Sequence, residues 1–225
     1  MRDELGFDLL AHVRASFVNR LQTIREAHDA ASEVLNRQPG ANTRRSRAGA
    51  ARLSQEEEFH LEEMERLRAE DQRRAFGHAW LMYLVSILEV ELKALKALFG
   101  DTAPFSKGRR RARSGGRKPF MEEWLDKYLE WFGINFKDCA RYQFLDELVT
   151  ARNCAVHEGG MAWGLERRCR HSAYIEYDAS KARETPRLMF TDADFDKALG
   201  ELDAFDKWLI ARLREYEQSQ QSATH

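Results

Sequence analysis

The sequence predicts an all-α helical bundle with long helices and a small β-hairpin before the last helix. Three observations predict this fold class. Apolar residues recur at spacings of three and four over most of the chain, which is the helical period. Glycine or proline follows several of these segments, at Pro39, Gly100 and Gly159. A chain of 225 residues can bury one substantial core or two small ones, and the periodic segments favour a single domain.

The composition is that of a soluble globular protein. Hydrophobic residues make up 43% and charged residues 32% of the chain. Because the formal net charge is only −1, local clusters of charged residues are more informative than the total charge. The N-terminal MRDELGFDLLAHVR carries charges within its apolar pattern and lacks the apolar segment of a secretory signal. The longest apolar run, Ala79 to Leu88, is about half the roughly 20 residues that span a bilayer. We therefore expect no membrane contact.

The three cysteines, Cys139, Cys154 and Cys169, lie far apart in the sequence. Their spacing lacks the close pairs of zinc and redox motifs, and an odd number argues against a complete disulfide framework. A reducing cytoplasm is the expected location of the protein.

The first predicted helix runs from about Asp3 to Arg37 and has one apolar stripe. The members of the stripe are Phe7, Leu10, Val13, Phe17, Leu21, Ile24, Ala27, Ala31 and Leu35. Pro39 and Gly40 end the helix, so residues 1–53 comprise an N-terminal helix and a linker.

The second predicted helix starts at Ser54, which forms a capping box with Glu57, and continues to Phe99. Residues 54–72 are mostly charged and form a solvated arm, whereas the second half of the helix is apolar nearly all round and belongs in the core. A bend is expected near Gly77. A one-sided arm of this kind also suits a dimer contact.

Residues 101–118 form a flexible basic loop in a Gly/Ser-rich setting. Its seven basic residues are Lys107, Arg109, Arg110, Arg111, Arg113, Arg117 and Lys118. The loop is interpreted as an arm that binds phosphate groups, as a solvated linker or as a nuclear localisation signal. The lack of aromatic residues after Phe105 favours backbone contact over base stacking.

Two further helices follow the basic loop. Pro119 suits the first turn of a helix, and the sequence FMEEWLDKYLEWF after it repeats apolar residues at helical spacing. Another helix is predicted from about Asp138 through His157, where Gly159 and Gly160 stop it.

The last part of the chain combines β-like and helical patterns. Short runs at Ala173–Tyr177 and Arg187–Phe190 predict a small hairpin. Thr191 then caps a final helix that has Asp194 in its first turn. Five aromatic residues have helical spacing and are predicted to lie in the core rather than to stack on bases. They are Trp80, Tyr83, Trp124, Tyr128 and Trp131.

The helix that ends at His157 carries the sequence TARNCAVHEGG, residues 150–160. At about 100° per residue, three apolar residues surround Arg152 on this helix. They are Leu148, Val149 and Val156. A guanidinium on an apolar stripe needs a partner, either an internal carboxylate such as Glu147 or Glu158, or a bound phosphate.

Asn153 and His157 lie four residues apart, about 40° from each other, and can contact the same ligand. The alternative interpretation is an ordinary helix end, in which Asn153 is solvated and the helix dipole favours a cation at His157. Spacing alone does not decide, because Arg73 and His78 repeat the Arg-x4-His separation in the middle of the second helix. We treat that second pair as a chance occurrence.

The pattern Arg-Asn-x-x-x-His at a helix end, followed by Gly-Gly, resembles the motif of the HEPN superfamily. Members are small α-helical bundles and often metal-independent ribonucleases. Two other segments are also similar: LVSILEVELKAL, residues 84–95, a core helix with a Ser and a Glu, and MFTDADFDKAL, residues 189–199, a capped helix start. The resemblance covers about Arg73 to Glu217.

The resemblance implies roles for the motif residues. Arg152 would hold the scissile phosphate, His157 would act as general acid or base, and Asn153 would orient one of the two. Glu158 would be an auxiliary residue or only a solvated helix end. The nucleophile would be the 2′-hydroxyl of the RNA, so no metal or cofactor is expected, and the products would be a 2′,3′-cyclic phosphate and a 5′-hydroxyl.

The resemblance also implies partners. Similar proteins place two copies of the motif face to face across a two-fold dimer, so RNA and a second copy of the chain are expected. A toxin or antiviral-defence role, with an inhibitor or defence-system partner, is implied at the level of the family. The alternative is a non-catalytic adaptor or nucleotide-binding subunit, in which Arg152 grips a phosphate without cleavage. Some HEPN toxins are modified on a tyrosine two places after the histidine; Gly159 stands there, so we do not expect that control.

Overall fold

The computed structural model describes residues 2–37, 55–99, 120–157, 175–176 and 187–223. These residues form an all-α bundle of five α-helices with one short antiparallel pair of strands. The predicted fold class is therefore confirmed. In the described part of the chain, no helix is long and apolar enough to cross a membrane.

The helices are α1, Arg2–Arg37; α2, Gln55–Phe99; α3, Phe120–Phe132; α4, Tyr142–His157; and α5, Asp192–Ala223. The first two begin and end within one residue of the predicted positions. Strand β1, Ile175–Glu176, pairs with strand β2, Arg187–Leu188, in antiparallel orientation. The hairpin expected before the last helix is thus present as two strands of two residues each, shorter than the sequence pattern predicted.

The predicted start of the fourth helix near Asp138 is wrong. Residues Phe136–Asp138 form a 3-10 turn instead, because the Asn135 side chain accepts a hydrogen bond of 3.2 Å from the backbone N–H of Lys137. Such side-chain bonds offer the backbone an alternative to the α-helix. A further turn follows, and α4 begins at Tyr142.

Helix α1 runs antiparallel to α2. His28, late in α1, contacts the ring of Trp80 at a centroid distance of 5.4 Å. Arg20, earlier in α1, faces the carboxyl of Glu91, which lies further along α2. The N-terminal end of α1 therefore lies beside the C-terminal half of α2.

Helix α5 runs parallel to α2, and α4 runs antiparallel to α5. Phe195 at the start of α5 contacts Trp80 at 5.7 Å, and Asp206 further along α5 lies near Glu91 further along α2. Just before α4 begins, Arg141 pairs with Glu201 at 3.2 Å. Phe144 lies further along α4, and Lys197, which precedes Glu201 in α5, lies over its ring at 5.0 Å. The C-terminal end of α4 therefore lies at the end of the bundle where α5 begins.

The apolar half of α2 lies at the centre of the core. Its fully buried residues include Leu81, Leu84, Val85, Leu88, Leu92 and Leu95. Trp124 and Tyr128 are buried as predicted. Trp80 and Trp131 are partly buried and pack against the core. The prediction is wrong for Tyr83, which is 59% exposed because it lines an open groove between α1 and α2.

Gly77 allows α2 to approach the segment that precedes α5. A Cβ atom at Gly77 would lie 2.3 Å from the carbonyl oxygen of Phe190, closer than atoms can pack. The neighbouring His78 places Nε2 3.1 Å from the carbonyl oxygen of Leu188. The helix continues through Gly77, so this glycine is explained by backbone contact.

Gly77→Ala is expected to lower the free energy of unfolding by about 1–3 kcal/mol, because the added methyl group would displace backbone. Gly200→Ala in α5 is the matched control, since nothing lies within 4 Å of a Cβ atom there. The control should raise the free energy of unfolding by about 0.5–1 kcal/mol through helix propensity. Urea unfolding followed by circular dichroism measures both, and equal changes in the two variants would contradict the close approach.

Candidate functional site

The three predicted site residues lie together in the last two turns of α4. Arg152 and Asn153 are half-buried, whereas His157 in the final turn is exposed. Val156, four residues after Arg152 on the same face, is 46% exposed. The structure therefore brings the three side chains to one helix end at the surface, around an exposed apolar residue.

Arg152 sits at the rim of the core. Leu148 and Val149 beside it are buried, but Val156 is not, so the predicted apolar stripe is buried on one side only. The Arg152 side chain makes no hydrogen bond or ion pair with any described residue. Of the two internal partners considered, Glu147 is buried and accepts a 3.5 Å hydrogen bond from Gln143 one turn earlier, and Glu158 lies outside the described residues.

Several predicted residues lie outside the described part of the chain. Glu158 follows directly after α4 and is one of them, as is Cys169. The basic loop, residues 101–118, is another, together with Gly159 and Gly160. The roles assigned to these residues remain predictions.

The position of α4 places its end beside two other features. It lies at the end of the bundle where α5 begins, and strand β2 packs against α4 at this end. The charged arm of α2 emerges from the same end, because Trp80 contacts Phe195 and the arm precedes Trp80 in α2. The carbonyl groups at the end of α4 also carry the negative pole of the helix dipole, which favours a cation at His157.

The second Arg-x4-His pair, Arg73 and His78, lies in the middle of α2 as expected. His78 is half-buried, and burial lowers its pKa, although the carbonyl oxygen of Leu188 opposes that shift. Its contact with the strand segment gives it a structural role. It therefore serves as a control for His157.

The core contains a pair of buried carboxylates that the sequence pattern did not predict. Glu91 on α2 and Asp206 on α5 are each 2% exposed. None of their four carboxyl oxygens has a hydrogen-bond partner among the described residues. Burial raises the pKa of Glu91 to about 8 and that of Asp206 to about 7. A glutamate within an all-round apolar segment was the available sequence signal.

Arginines of α1 face this pair from one side. Arg20 opposes the rise in the pKa of Glu91, and Arg14 does so for Asp206. Nη2 of Arg20 donates to Ser16 Oγ at 2.9 Å, while its Nη1 is buried and has no hydrogen-bond partner among the described residues. From the other side, the Tyr128 hydroxyl donates to the carbonyl oxygen of Leu92 at 2.9 Å. Neither neighbour therefore donates a hydrogen bond to the carboxyl oxygens.

No group of three or more His, Cys, Asp or Glu side chains within the described ranges could hold a metal ion.

A scan against protein-family models, a search of curated proteins and a search of solved structures each found no match to this chain. The likeness to the HEPN superfamily therefore rests on the motif residues and remains a prediction.

The buried pair predicts a pH-dependent stability. A carboxyl whose pKa is raised in the folded state holds a proton that the unfolded chain releases, so stability is highest below the ordinary pKa near 4 and falls as pH rises to about 8. Glu91→Gln and Asp206→Asn should each flatten this fall and gain at least about 1 kcal/mol at about pH 8.5.

Urea unfolding from about pH 5 to pH 8.5 measures the effect. Glu89→Gln is the control, because Glu89 pairs with Lys93 at the surface at 2.7 Å. A wild-type protein whose stability does not fall with pH would contradict the assignment of the pair.

Proposed function

We propose that this protein is a metal-independent endoribonuclease of the HEPN type. The observation that carries the proposal is the arrangement of Arg152, Asn153 and His157 around one surface-exposed end of α4. The all-α bundle agrees with the fold of that superfamily. A cytoplasmic location belongs to the same proposal, and the free thiol of buried Cys139 is compatible with it.

Arg152 is suited to hold the scissile phosphate. Its guanidinium lies at the edge of the core and has no ion pair with any described residue, so its donors are available to an anion. A guanidinium binds phosphate through two parallel hydrogen bonds and offsets the charge that develops on the phosphoryl oxygens. The buried residues Leu148 and Val149, one turn earlier on the same helix, offer apolar surface to the stem of the side chain.

His157 is suited to move the proton. In the proposed reaction, the 2′-oxygen of the RNA bonds to the adjacent phosphorus while the bond from phosphorus to the 5′-oxygen breaks. An imidazole can accept the 2′-hydroxyl proton or donate one to the leaving 5′-oxygen. Its exposure lets RNA reach it, and Asn153 lies close enough on the helix to orient either the phosphate or the imidazole.

A single histidine serves poorly on both sides of an in-line displacement, which favours two copies of the motif in a two-fold dimer. Val156 supports this arrangement, because an exposed apolar side chain among the motif residues suits contact with a second subunit. We include the homodimer in the proposal. The basic loop at residues 107–118 would hold the RNA by its phosphates.

The biological role proposed with this activity is that of a toxin or antiviral-defence effector, restrained by an inhibitor or a defence-system partner. It rests on the superfamily alone. The rival function is a non-catalytic HEPN adaptor or nucleotide-binding subunit, and the cleavage assay below separates the two.

His157→Ala and Arg152→Ala are each expected to abolish RNA cleavage in a gel assay with the purified protein. Loss of the proton-transfer group should cost at least about 100-fold in rate. Cleavage by the wild-type protein should survive EDTA and leave cyclic-phosphate ends, because the nucleophile belongs to the RNA.

His78→Ala is the matched control and should retain cleavage once circular dichroism shows that it is folded. Rapid cleavage by the His157 variant, or activity that disappears with EDTA, would refute the mechanism. RNA binding without cleavage by the wild-type protein would favour the non-catalytic alternative.

Replacement of the five arginines between Arg109 and Arg117 by glutamine is expected to weaken RNA binding for all sequences and to flatten its salt dependence, because phosphate contacts release counterions. The slope of the logarithm of affinity against the logarithm of salt concentration should fall by about one for each RNA phosphate that the variant no longer neutralises. Fluorescence anisotropy with two unrelated RNA sequences measures this. An unchanged affinity and slope would identify the loop as a linker.

A further inference from the structure

The charged arm of α2, residues 55–72, exposes four large apolar side chains. They are Phe59, Leu61, Met64 and Leu67, each between 40% and 66% exposed. Isolated exposed apolar residues are common, but four within nine positions of one helix form a patch that suits a protein contact.

The arm extends beyond the helix that covers the rest of α2. His28 of α1 packs beside Phe76 at a ring distance of 5.6 Å, and α1 ends at Arg37. Two antiparallel helices have the same rise per residue, so α1 ends beside about residue 67 of α2. The first three residues of the apolar patch therefore lie beyond the end of α1.

Three of the four apolar residues form one stripe. At about 100° per residue, Leu61, Met64 and Leu67 fall within about 120° of the helix surface. Glu57 and Arg68 point in the same direction, one near each end of the stripe. Arg66 is held on its own helix by Glu63, at 2.6 Å, and by Glu70. Arg68, by contrast, forms no ion pair with any described residue.

Charge is segregated along the arm. Residues 56–65 contain six glutamates and no arginine or lysine, and residues 66–74 contain four arginines and two acids. A parallel pair of arms would place glutamates against glutamates. An antiparallel pair places the acidic end of each arm against the basic end of the other, which is the arrangement that opposite charges favour.

We propose that the arm is the docking surface for a second copy of this chain, in an antiparallel, two-fold helix pair. One register that is compatible with both the stripe and the charges places apolar residues at its centre and opposite charges at its ends. Leu61 faces Met64 of the partner subunit, and Glu57 faces Arg68 of the partner subunit. The contact is isologous, so each pair occurs twice.

A neighbouring register shows how the charges distinguish between arrangements. If the two copies of Met64 faced each other, Glu57 would face Asp71 of the partner subunit and His60 would face Arg68 of the partner subunit. The first of these pairs opposes like charges, and the second places a potential cation beside an arginine. Like charges across an interface suppress the wrong arrangement, so the charge pattern disfavours the register that pairs the two copies of Met64.

The pairing would also fix the positions of the two bundle ends that carry Arg152 and His157. Because the arm emerges from that end, the two motif-bearing ends lie at opposite ends of the paired arms, about 37 Å apart along the helix axis, so the arm pair joins two subunits without itself bringing two motifs into contact. Any consequence for cleavage rests on the proposed function. The pairing itself rests on the exposure and charge of the arm.

The first test is the oligomeric state, measured by light scattering after size exclusion at micromolar concentration. The wild-type protein should be a dimer, and the double variant Leu61→Glu/Met64→Glu should raise the dissociation constant at least about 100-fold, because it buries like charges at the centre of the contact. Val90→Glu is the matched control. Val90 is an equally exposed apolar residue of α2 outside the arm, so its variant should remain a dimer.

The second test exchanges the charges. Glu57→Arg and Arg68→Glu should each weaken the dimer, and the combined variant should restore it, because the combined variant re-forms both pairs with their signs reversed. Restoration distinguishes a specific pair from a general weakening of the helix. A wild-type monomer, a dimer insensitive to Leu61→Glu/Met64→Glu, or a combined variant no better than the single ones would overturn the proposed pairing.

RNA cleavage measured on the same variants separates this proposal from the proposed activity. Loss of the dimer in the arm variant supports the pairing whatever the cleavage rate. A monomeric arm variant that cleaves at the wild-type rate would refute a site that requires two subunits, whereas the His157→Ala protein should remain a dimer and lose cleavage.

Discussion

The burial of the second half of α2 is the constraint on which the rest of the structure depends. This segment is apolar on nearly every side, so it cannot be covered by one neighbour, and α1, α4 and α5 all pack against it. Gly77 marks one limit of the packed region, where the backbone of α2 meets that of the segment before α5. The position of α4, and with it the end that carries Arg152 and His157, follows from this packing.

The same central helix contains the main polar exception in the core. Glu91 points into the interface where Asp206 of α5 and the arginines of α1 meet, and burial keeps both carboxyls protonated at higher pH than is usual. A protonated carboxyl can be buried at smaller cost than a charged one. The packing of α1 is therefore linked to proton binding as well as to the apolar stripe that includes Phe17 and Leu21.

The two ends of α2 have different chemistry, and that difference connects the fold to the proposals. Its apolar half specifies a core, while its charged half lies mainly in solvent with an apolar stripe and segregated charge. The C-terminal end of α4 lies at the end of the bundle from which the arm emerges. The candidate phosphate-binding residues and the candidate subunit contact therefore share one end of the bundle.

The sequence by itself determined the helices and the motif, because helical periodicity and capping are local. It placed the ends of α1 and α2 within one residue and identified the Thr191 cap, where Asp194 accepts a hydrogen bond from the Thr191 hydroxyl at 2.7 Å. It misplaced the start of α4, since the Asn135 turn competes with a helix at a similar local energy.

Only the tertiary structure decided which side chains are buried and what they face. Helical spacing gave Tyr83 and Tyr128 the same prediction, yet Tyr83 lines an open groove and Tyr128 is fully buried. Spacing likewise offered Glu147 as one possible partner of Arg152, and the structure shows that this carboxylate is buried and accepts a hydrogen bond from Gln143. The Glu91 and Asp206 pair joins residues more than a hundred positions apart. Burial and charge pairing are set by which helices pack together, and no local pattern contains that information.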